Sequence, residues 1–353
     1  MIFRLLNANE GDAIHLRVKD EKGGIHNILI DGGPEGTYSY KNKKGKTEYG
    51  ELKQLIELIK NQNEFIDLLV LTHVDNDHIG GILRWFEQDA DAKKIVKKVW
   101  FNSGRLISEY FQQKGFEENL LKIKNTSYRD TGISQGITFE DFIEKNKIWD
   151  RRIIKSGDEF IMFGLKFTIL SPSDGKLQSL LCKWEKESPI SETSRTSDYS
   201  LSLSDLINSD HFKEDDSIHN GSSIAFMVEK QGKNILFLGD AHPRTIIDSL
   251  KSLGYSPENP LKVNFVKTSH HGSKANTSIE LLELIQTDNF LLSSNGNKYK
   301  LPDKRCLARI IKRNKEVNFY FNSPKIASII FTQQDFLDYS NFSIVNAIEY
   351  IKI

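Results

Sequence analysis

The stretch "FIDLLVLTH", residues 65–73, is an apolar run of strand length that ends on a histidine. A strand so apolar on both sides fits only where both faces are covered, so helices must pack over its sheet. "HNILIDGG" is a second strand, Asn27 to Ile30, closed by Asp31 and two glycines. Between the two, "GELKQLIELIKNQ" carries apolar residues at helical spacing and predicts a helix. "MIFRLLN" and "DAIHLRV" alternate like neighbouring strands, with "NANEGD" as their turn. Strands alternating with helices around a buried sheet indicate a layered α/β architecture.

Further along, residues 103–150 are charged, with helical pieces such as "EYFQQKGFEENLLKIK" and "FEDFIEKNKIWDRR", and read as a helical insertion. "DEFIMFGLKFTILSPS" reads as a hairpin turning near Phe163–Gly164. Residues 173–218 turn serine-rich and polar, which predicts a flexible insertion or lid. Strands return in "SSIAFMVEKQGKNILFLGD", a hairpin with Gln231, Gly232 and Lys233 as its turn, then in "PLKVNFVKTSHHGS" and "NFLLSS". Helices are expected over 276–286 and 303–313, and "KIASIIFTQQ" and "FSIVNAIEYIKI" are strand-like.

Lys+Arg and Asp+Glu balance at 48 each, so no overall positive field gathers polyanions. Cys182 and Cys306 offer neither a disulfide framework nor metal-ligand spacing. The N-terminus lacks a long apolar signal region, and no apolar run approaches the roughly 20 residues needed to cross a bilayer. A cytoplasmic protein without membrane segments is the expectation.

The first apolar run leads into "THVDNDHIGG", which crowds four metal-ligand types into six residues. In an extended loop His73 and Asp75 point the same way, as residues two apart do. Asp77 and His78 fall where the next helix begins, and Gly80 and Gly81 let backbone pack close to the site. Imidazole with carboxylate suits Zn²⁺, Mn²⁺ or Fe²⁺. Two more strand ends add ligands: "NILFLGDAH" stops at Asp240, where a bridging carboxylate fits, and "VNFVKTSHHGS" delivers His270 and His271.

This arrangement resembles the metallo-β-lactamase superfamily, whose signature is HxHxDH followed by a histidine, an aspartate and another histidine, each after a strand. "NANEGDAIHL", "ILIDGG", "HVDNDHIGG", "IIKSGDEFIMFGLKFTILSPS", "NGSSIAFMV", "FLGDA", "SHHGS" and "SSNGNKYKLP" occur in order and are similar to the ComEC-like branch, named for a DNA-uptake membrane protein. The resemblance covers nearly the whole chain. It implies a single four-layer αββα sandwich over 1–353, standing alone without channel segments. It also implies two divalent metal ions, Zn or Mn. Asp77, His78, Asp240 and one histidine of the 270/271 pair, with His271 favoured, would hold one ion. His73 and Asp75 would hold the other, with Asp240 bridging. His219, in "HNGSSI", is either a further ligand or a loop histidine beside Glu214, Asp215 and Asp216. Asn220 and Ser223 match the branch's N-x-x-S and are expected at the substrate. His270 is a ligand or a substrate contact. Asp31 matches the aspartate that orients a ligand, and Asp12 is similarly placed. His15, His26, His211 and His242 are left as structural or surface residues.

Asp75 stands where many members have histidine, so three carboxylates face two divalent cations and leave one formal positive charge. That favours Mn²⁺ more than an all-imidazole site would, and it favours an anionic substrate. Two metals sharing a hydroxide can attack a phosphodiester and clamp its leaving oxygen. A phosphodiesterase or nuclease acting on nucleic acid or a nucleotide is the leading expectation, with Asp77, Asp31 and Lys267 in catalytic roles. Lys267, Lys274 and Ser273 are either phosphate contacts or solvated loop side chains. Relatives commonly carry N-x-Y-G-H-P near the end; here Leu301 takes the histidine position, leaving Lys300 to substitute. The alternatives are hydrolysis of another ester, a lactam or a thioester, or a metal-stabilised module that docks a regulatory protein partner through 173–218. Stand-alone relatives beside phage-defence genes add an effector nuclease to the readings.

Overall fold

The computed structural model describes residues 1–112, 132–184 and 196–353. Period-two alternation builds two stacked sheets. In the strand Ile25–Ile30, Ile28 and Ile30 enter a central core while Leu29 enters an outer one. Ile66–Val70 repeats this, with Leu68 and Val70 central and Leu69 outer. In the second sheet Phe226 and Val228 face the centre and Met227 faces outwards; Ile235 and Phe237 are central and Leu236 is outer. Central residues of both sheets form one cluster, so the sheets pack face to face, and each outer face is covered by helices. This is a four-layer α/β sandwich, as the apolar runs require.

The first sheet orders its strands Ile351–Lys352, Ile2–Leu5, Ile14–Lys19, Ile25–Ile30, Ile66–Val70 and Val99–Trp100. Its last three strands run parallel. The second orders Phe342–Asn346, Val317–Phe321, Asn289–Leu292, Phe265–Lys267, Lys233–Phe237, Ala225–Lys230, Leu165–Ser171 and Glu159–Met162. Its first five strands are parallel and the remaining pairings antiparallel. Parallel strands deliver their C-terminal loops to one rim, which is where such sheets hold ligands. A cross-link joins the two sheets at that rim, where the Ile224 amide donates to the Thr72 carbonyl at 3.0 Å.

The helix Glu51–Asn61 buries Leu52, Leu55, Ile56 and Ile59, the i, i+3, i+4, i+7 stripe of its sequence. Each such side chain contributes about 1.5–3 kcal/mol of burial. Both expected hairpins form. Phe163 and Gly164 make the first turn, with φ of 59° and 69°, and Gln231 and Gly232 the second, with φ of 52° and 75°. Two consecutive left-handed residues match the twist of a tight hairpin. Lys233 therefore belongs to the following strand, not to the turn.

Other expectations are corrected. "KIASIIFTQQ" is not strand-like: Pro324–Ile329 is a helix with proline in its first turn, and Ile326 and Ile330 are buried four residues apart. The helix expected over 276–286 is Ile279–Glu283, because the Ser278 hydroxyl caps its start and Ile285–Gln286 is already a strand. In 103–150, the helices Gly104–Tyr110 and Gly132–Lys145 are described, while 113–131 lie outside the described residues. Within 173–218 the described residues include two helices with buried apolar side chains. The helix Asp174–Trp184 buries Leu177, Leu180 and Leu181, and Leu203–Asn208 buries Leu203 and Leu206. The Asp198 carboxylate there accepts from the amides of Lys304 and Arg305 at 2.8 and 3.0 Å. Residues 185–195 lie outside the described residues.

Candidate metal centre

The loop after Ile66–Val70 carries His73 and Asp75 to the rim in extended backbone, so both point inwards, with His73 Nε2 and Asp75 Oδ2 3.7 Å apart. Asp75 immediately precedes the helix Asn76–Gln88, whose first turn presents Asp77 and His78. That helix start is held against "DGG" backbone to backbone. The Gly32 amide donates to the His78 carbonyl at 2.8 Å, and the Gly81 amide to the Gly33 carbonyl at 2.7 Å. A Cβ on Gly81 would overlap the Gly32 carbonyl. Gly81 serves this contact, and a Cβ on Gly80 would instead meet the Glu35 amide.

From the facing sheet, Asp240 follows Lys233–Phe237, and His270 and His271 follow Phe265–Lys267. The distances converge on Asp240. Its Oδ1 lies 3.4 Å from His78 Nε2, and its Oδ2 lies 3.8 Å from His73 Nε2, 3.8 Å from His270 Nε2 and 3.9 Å from His271 Nε2. His271 Nε2 is also 3.3 Å from Asp77 Oδ2. His219, on the short helix Ile218–Gly221, directs Nδ1 at Asp75 Oδ1 at 2.6 Å. The structure thus brings His73, Asp75, Asp77, His78, His219, Asp240 and His271 to one rim.

Whether these residues suit a metal is tested by their unsatisfied atoms. The Nε2 atoms of His73, His78, His219 and His271, together with Asp240 Oδ1, are buried without a hydrogen-bond partner among the described residues. Buried polar atoms are normally paired, so several orphans pointing together mark a site for a cation. The opposite nitrogens are held. His78 Nδ1 donates to Asp31 Oδ2 at 2.8 Å, His271 Nδ1 to Asp12 Oδ1 at 3.2 Å, and His73 Nδ1 faces Ser223 Oγ at 3.0 Å. Fixing Nδ1 leaves the Nε2 lone pair for a metal, the usual second layer of such sites. The residues fit divalent metal.

Electrostatics agree. Burial pushes His78 down, but the charges of Asp240 and Asp31 outweigh it and raise its pKa well above the ordinary imidazole value. Burial opposes His271 in the same way, yet Asp12 and Asp240 push it up to about 9. Burial would raise Asp240, and the three histidines around it hold it well below the carboxylate range instead. Without a cation the site therefore draws in protons, and metal binding must displace them.

Asp12, His78, Asp240 and His271 form one compact ligand-type group. Asp12 is nonetheless an orienting residue: one oxygen is on His271 and the other accepts from Lys267 Nζ at 2.7 Å. This corrects Lys267, whose ammonium is buried behind Asp12 and donates also to the Thr268 carbonyl, out of reach of substrate. Ser223 is likewise buried and serves His73 and the Asp240 amide, which donates to its Oγ at 3.2 Å. Ser273 is buried and its Oγ accepts from the Ala275 amide, and Asn220 Nδ2 donates to Asp215 Oδ2 at 2.7 Å. All three brace the site, because a loop turned into the rim needs its own polar groups satisfied. Asp31 orients His78 and the Thr72 amide and hydroxyl, and makes no approach to the open rim. Lys300 does not replace the absent histidine: its ammonium donates to the Asn297 carbonyl and Leu301 is buried. His270 keeps a partly open place at the rim.

Asp215 and Asn276 have no counterpart in the sequence expectations. Asp215 Oδ2 accepts from Asn220 and Asn276 and lies 3.3 Å from His270 Nδ1. His242 is buried, not at the surface; its Nδ1 accepts from Lys176 Nζ at 2.7 Å. Only the "D-x-S-x-H-N" spacing of residues 215–220 hints at this group in the sequence.

Residues 21–170 match the family described as the metallo-beta-lactamase superfamily. ComE operon protein 3 of Bacillus subtilis is 21% identical over 307 residues, which cover 86% of this chain and 30% of that protein. The chain thus spans under a third of that relative's length. Among solved structures, Zn²⁺-bound PqqB from Methylobacterium extorquens is similar over the whole of both chains at 10% identity and a TM-score of 0.43. The metallo-beta-lactamase fold protein YhfI from Bacillus subtilis is similar over the whole of both chains at 8% identity and a TM-score of 0.37. The matched segment contains the His73–His78 cluster and Asp31, so this part of the chain is similar to the metallo-beta-lactamase superfamily.

Proposed function

We propose that this chain hydrolyses phosphodiesters, in nucleic acid or a nucleotide, at a centre of two divalent cations, Zn²⁺ or Mn²⁺. The observation that carries the reading is the convergence of three buried, unpartnered imidazole nitrogens, those of His73, His78 and His271, on the carboxylates of Asp75, Asp77 and Asp240. His73, Asp75, His219 and Asp240 would hold one ion, and Asp77, His78, His271 and Asp240 the other. When bound, such a pair lowers the pKa of water towards neutrality and polarises the bond under attack. The chain's own part is positional. Asp31, Asp12 and Ser223 lock the imidazole rings, and Asp240 spans the two halves of the site. Three carboxylates leave the loaded centre a net positive charge, which favours a phosphodiester over a neutral amide or lactam. The resemblance of the sequence motifs to the ComEC-like branch, named for a DNA-uptake protein, favours nucleic acid as the substrate class.

The test is turnover of bis-p-nitrophenyl phosphate with Mn²⁺, set against nitrocefin with Zn²⁺, then cleavage of single-stranded DNA, duplex DNA and RNA. Phosphodiester turnover falling at least about 100-fold in Asp77→Ala is expected. Equal cleavage by wild type and variant, or turnover of nitrocefin alone, overturns the proposal.

A further inference from the structure

Consecutive residues ordinarily send their side chains to different sides. His270 and His271 break that rule: both adopt the left-handed region, with φ of 46° and 53°, before Gly272 at 87°. Two adjacent left-handed residues with full side chains are strained, by on the order of 1–3 kcal/mol each, and such strain concentrates where a site demands it. Here it places both Nε2 atoms against one oxygen, Asp240 Oδ2, at 3.8 and 3.9 Å. The loop is pinned in this shape by the His270 amide, which donates to the Gly239 carbonyl at 2.9 Å, and by Ser269 Oγ, which donates to the Ala241 carbonyl at 2.7 Å.

His270 also has its own orienting carboxylate. Its Nδ1 faces two acceptors, Asn276 Oδ1 at 3.1 Å and Asp215 Oδ2 at 3.3 Å. Asp215 is kept in place by Asn220 and Asn276 side chains, by the Ser217 amide, and through its own amide by the Ala275 carbonyl. This repeats the pairings of Asp31 with His78 and Asp12 with His271, each of which secures Nδ1 and frees Nε2. Two donors that share a cation at about 2.1 Å lie no more than about 4.2 Å apart. His270 Nε2 meets that limit against Asp240, as His73 and His271 do.

We infer that His270 is an additional donor to the cation at Asp240 Oδ2, and that Asp215 is the positioning residue that aims it. The inference rests on the metal centre of the proposed function and not on its substrate.

The experiment is chelator competition on metal-loaded wild type, His270→Ala and Asp215→Asn, with the visible spectrum of the Co²⁺-substituted proteins as a second readout. His270→Ala is expected to weaken one cation by about 10–100-fold and to change the cobalt bands, with Asp215→Asn shifting both in the same direction. Unchanged affinity and unchanged bands in folded His270→Ala overturn the inference, even if turnover falls, because that pattern belongs to a substrate contact. If His270→Ala does not fold, Asp215→Asn decides: native affinity and bands overturn the positioning claim and the ligand with it. A wild type that binds no cation sinks this inference and the proposed function together. Cation binding as expected with no phosphodiester turnover sinks only the substrate.

Discussion

Asp31 shows how much one residue organises here. Its carboxylate accepts from the Thr72 amide, the Thr72 hydroxyl and His78 Nδ1 at 2.8, 2.7 and 2.8 Å, from a left-handed backbone with φ of 56°. Asparagine tolerates that conformation, so Asp31→Asn changes charge and acceptor capacity with little strain. The expected result is a 10–100-fold loss of metal affinity, read by chelator competition, with the fold retained by circular dichroism. Undiminished affinity would show that His78 needs no anchor. At this scale the ligand types were legible, since "HVDNDH", "GDAH" and "SHHGS" name themselves by chemistry. The bracing was not. Asp215 and Asp12 act through atoms that only long-range folding sets beside His270 and His271; Asp12 and Lys267 are 255 residues apart and share a buried ion pair.

Elements place those residues, and their tolerances can be measured. The helix Asn76–Gln88 meets the "DGG" turn with Gly81 directly against the Gly32 carbonyl, so Gly81→Ala must push the two apart. It is expected to cost about 3 kcal/mol or more in chemical denaturation and to weaken metal binding with it. The strand Ile14–Lys19 carries a pH-sensitive group away from the site. His15 is buried between Tyr350 Oη and Asn27 Oδ1, and burial pushes its pKa down to about 4. Between pH 4 and 6.5 the unfolded chain binds this proton and the folded chain does not, so stability is full above that window and is lost as pH falls through it. Up to about 3 kcal/mol of the decline belongs to His15, and His15→Gln is expected to flatten the slope of denaturation midpoint against pH over that range. An identical slope in the variant would place the effect elsewhere. Strand and helix assignments were legible where periodicity was strong. They failed at "KIASIIFTQQ", because an apolar segment this short has no period, and the helix that forms there starts at Pro324, just before it.

For the molecule as a whole, two sheets meet at a rim that neither completes alone. His73, Asp77 and His78 come from one and Asp240, His270 and His271 from the other, so a bound cation ties the halves together. Saturating metal at about 1,000 times Kd is expected to add about 4 kcal/mol, and stripping it with a chelator to lower Tm by about 5 °C. A Tm indifferent to chelator would sever metal from folding. No helix among the described residues is long and apolar enough to cross a membrane. By itself the amino-acid order determined the layered architecture and the ligand chemistry, because hydrophobic periodicity and side-chain type are local properties. Only the tertiary structure decided which nitrogen of each histidine faces the rim, which carboxylate holds the other, and that Ser223, Ser273 and Lys267 brace where they were expected to touch substrate. Those outcomes depend on burial and on hydrogen bonds between distant segments, and no local pattern encodes them.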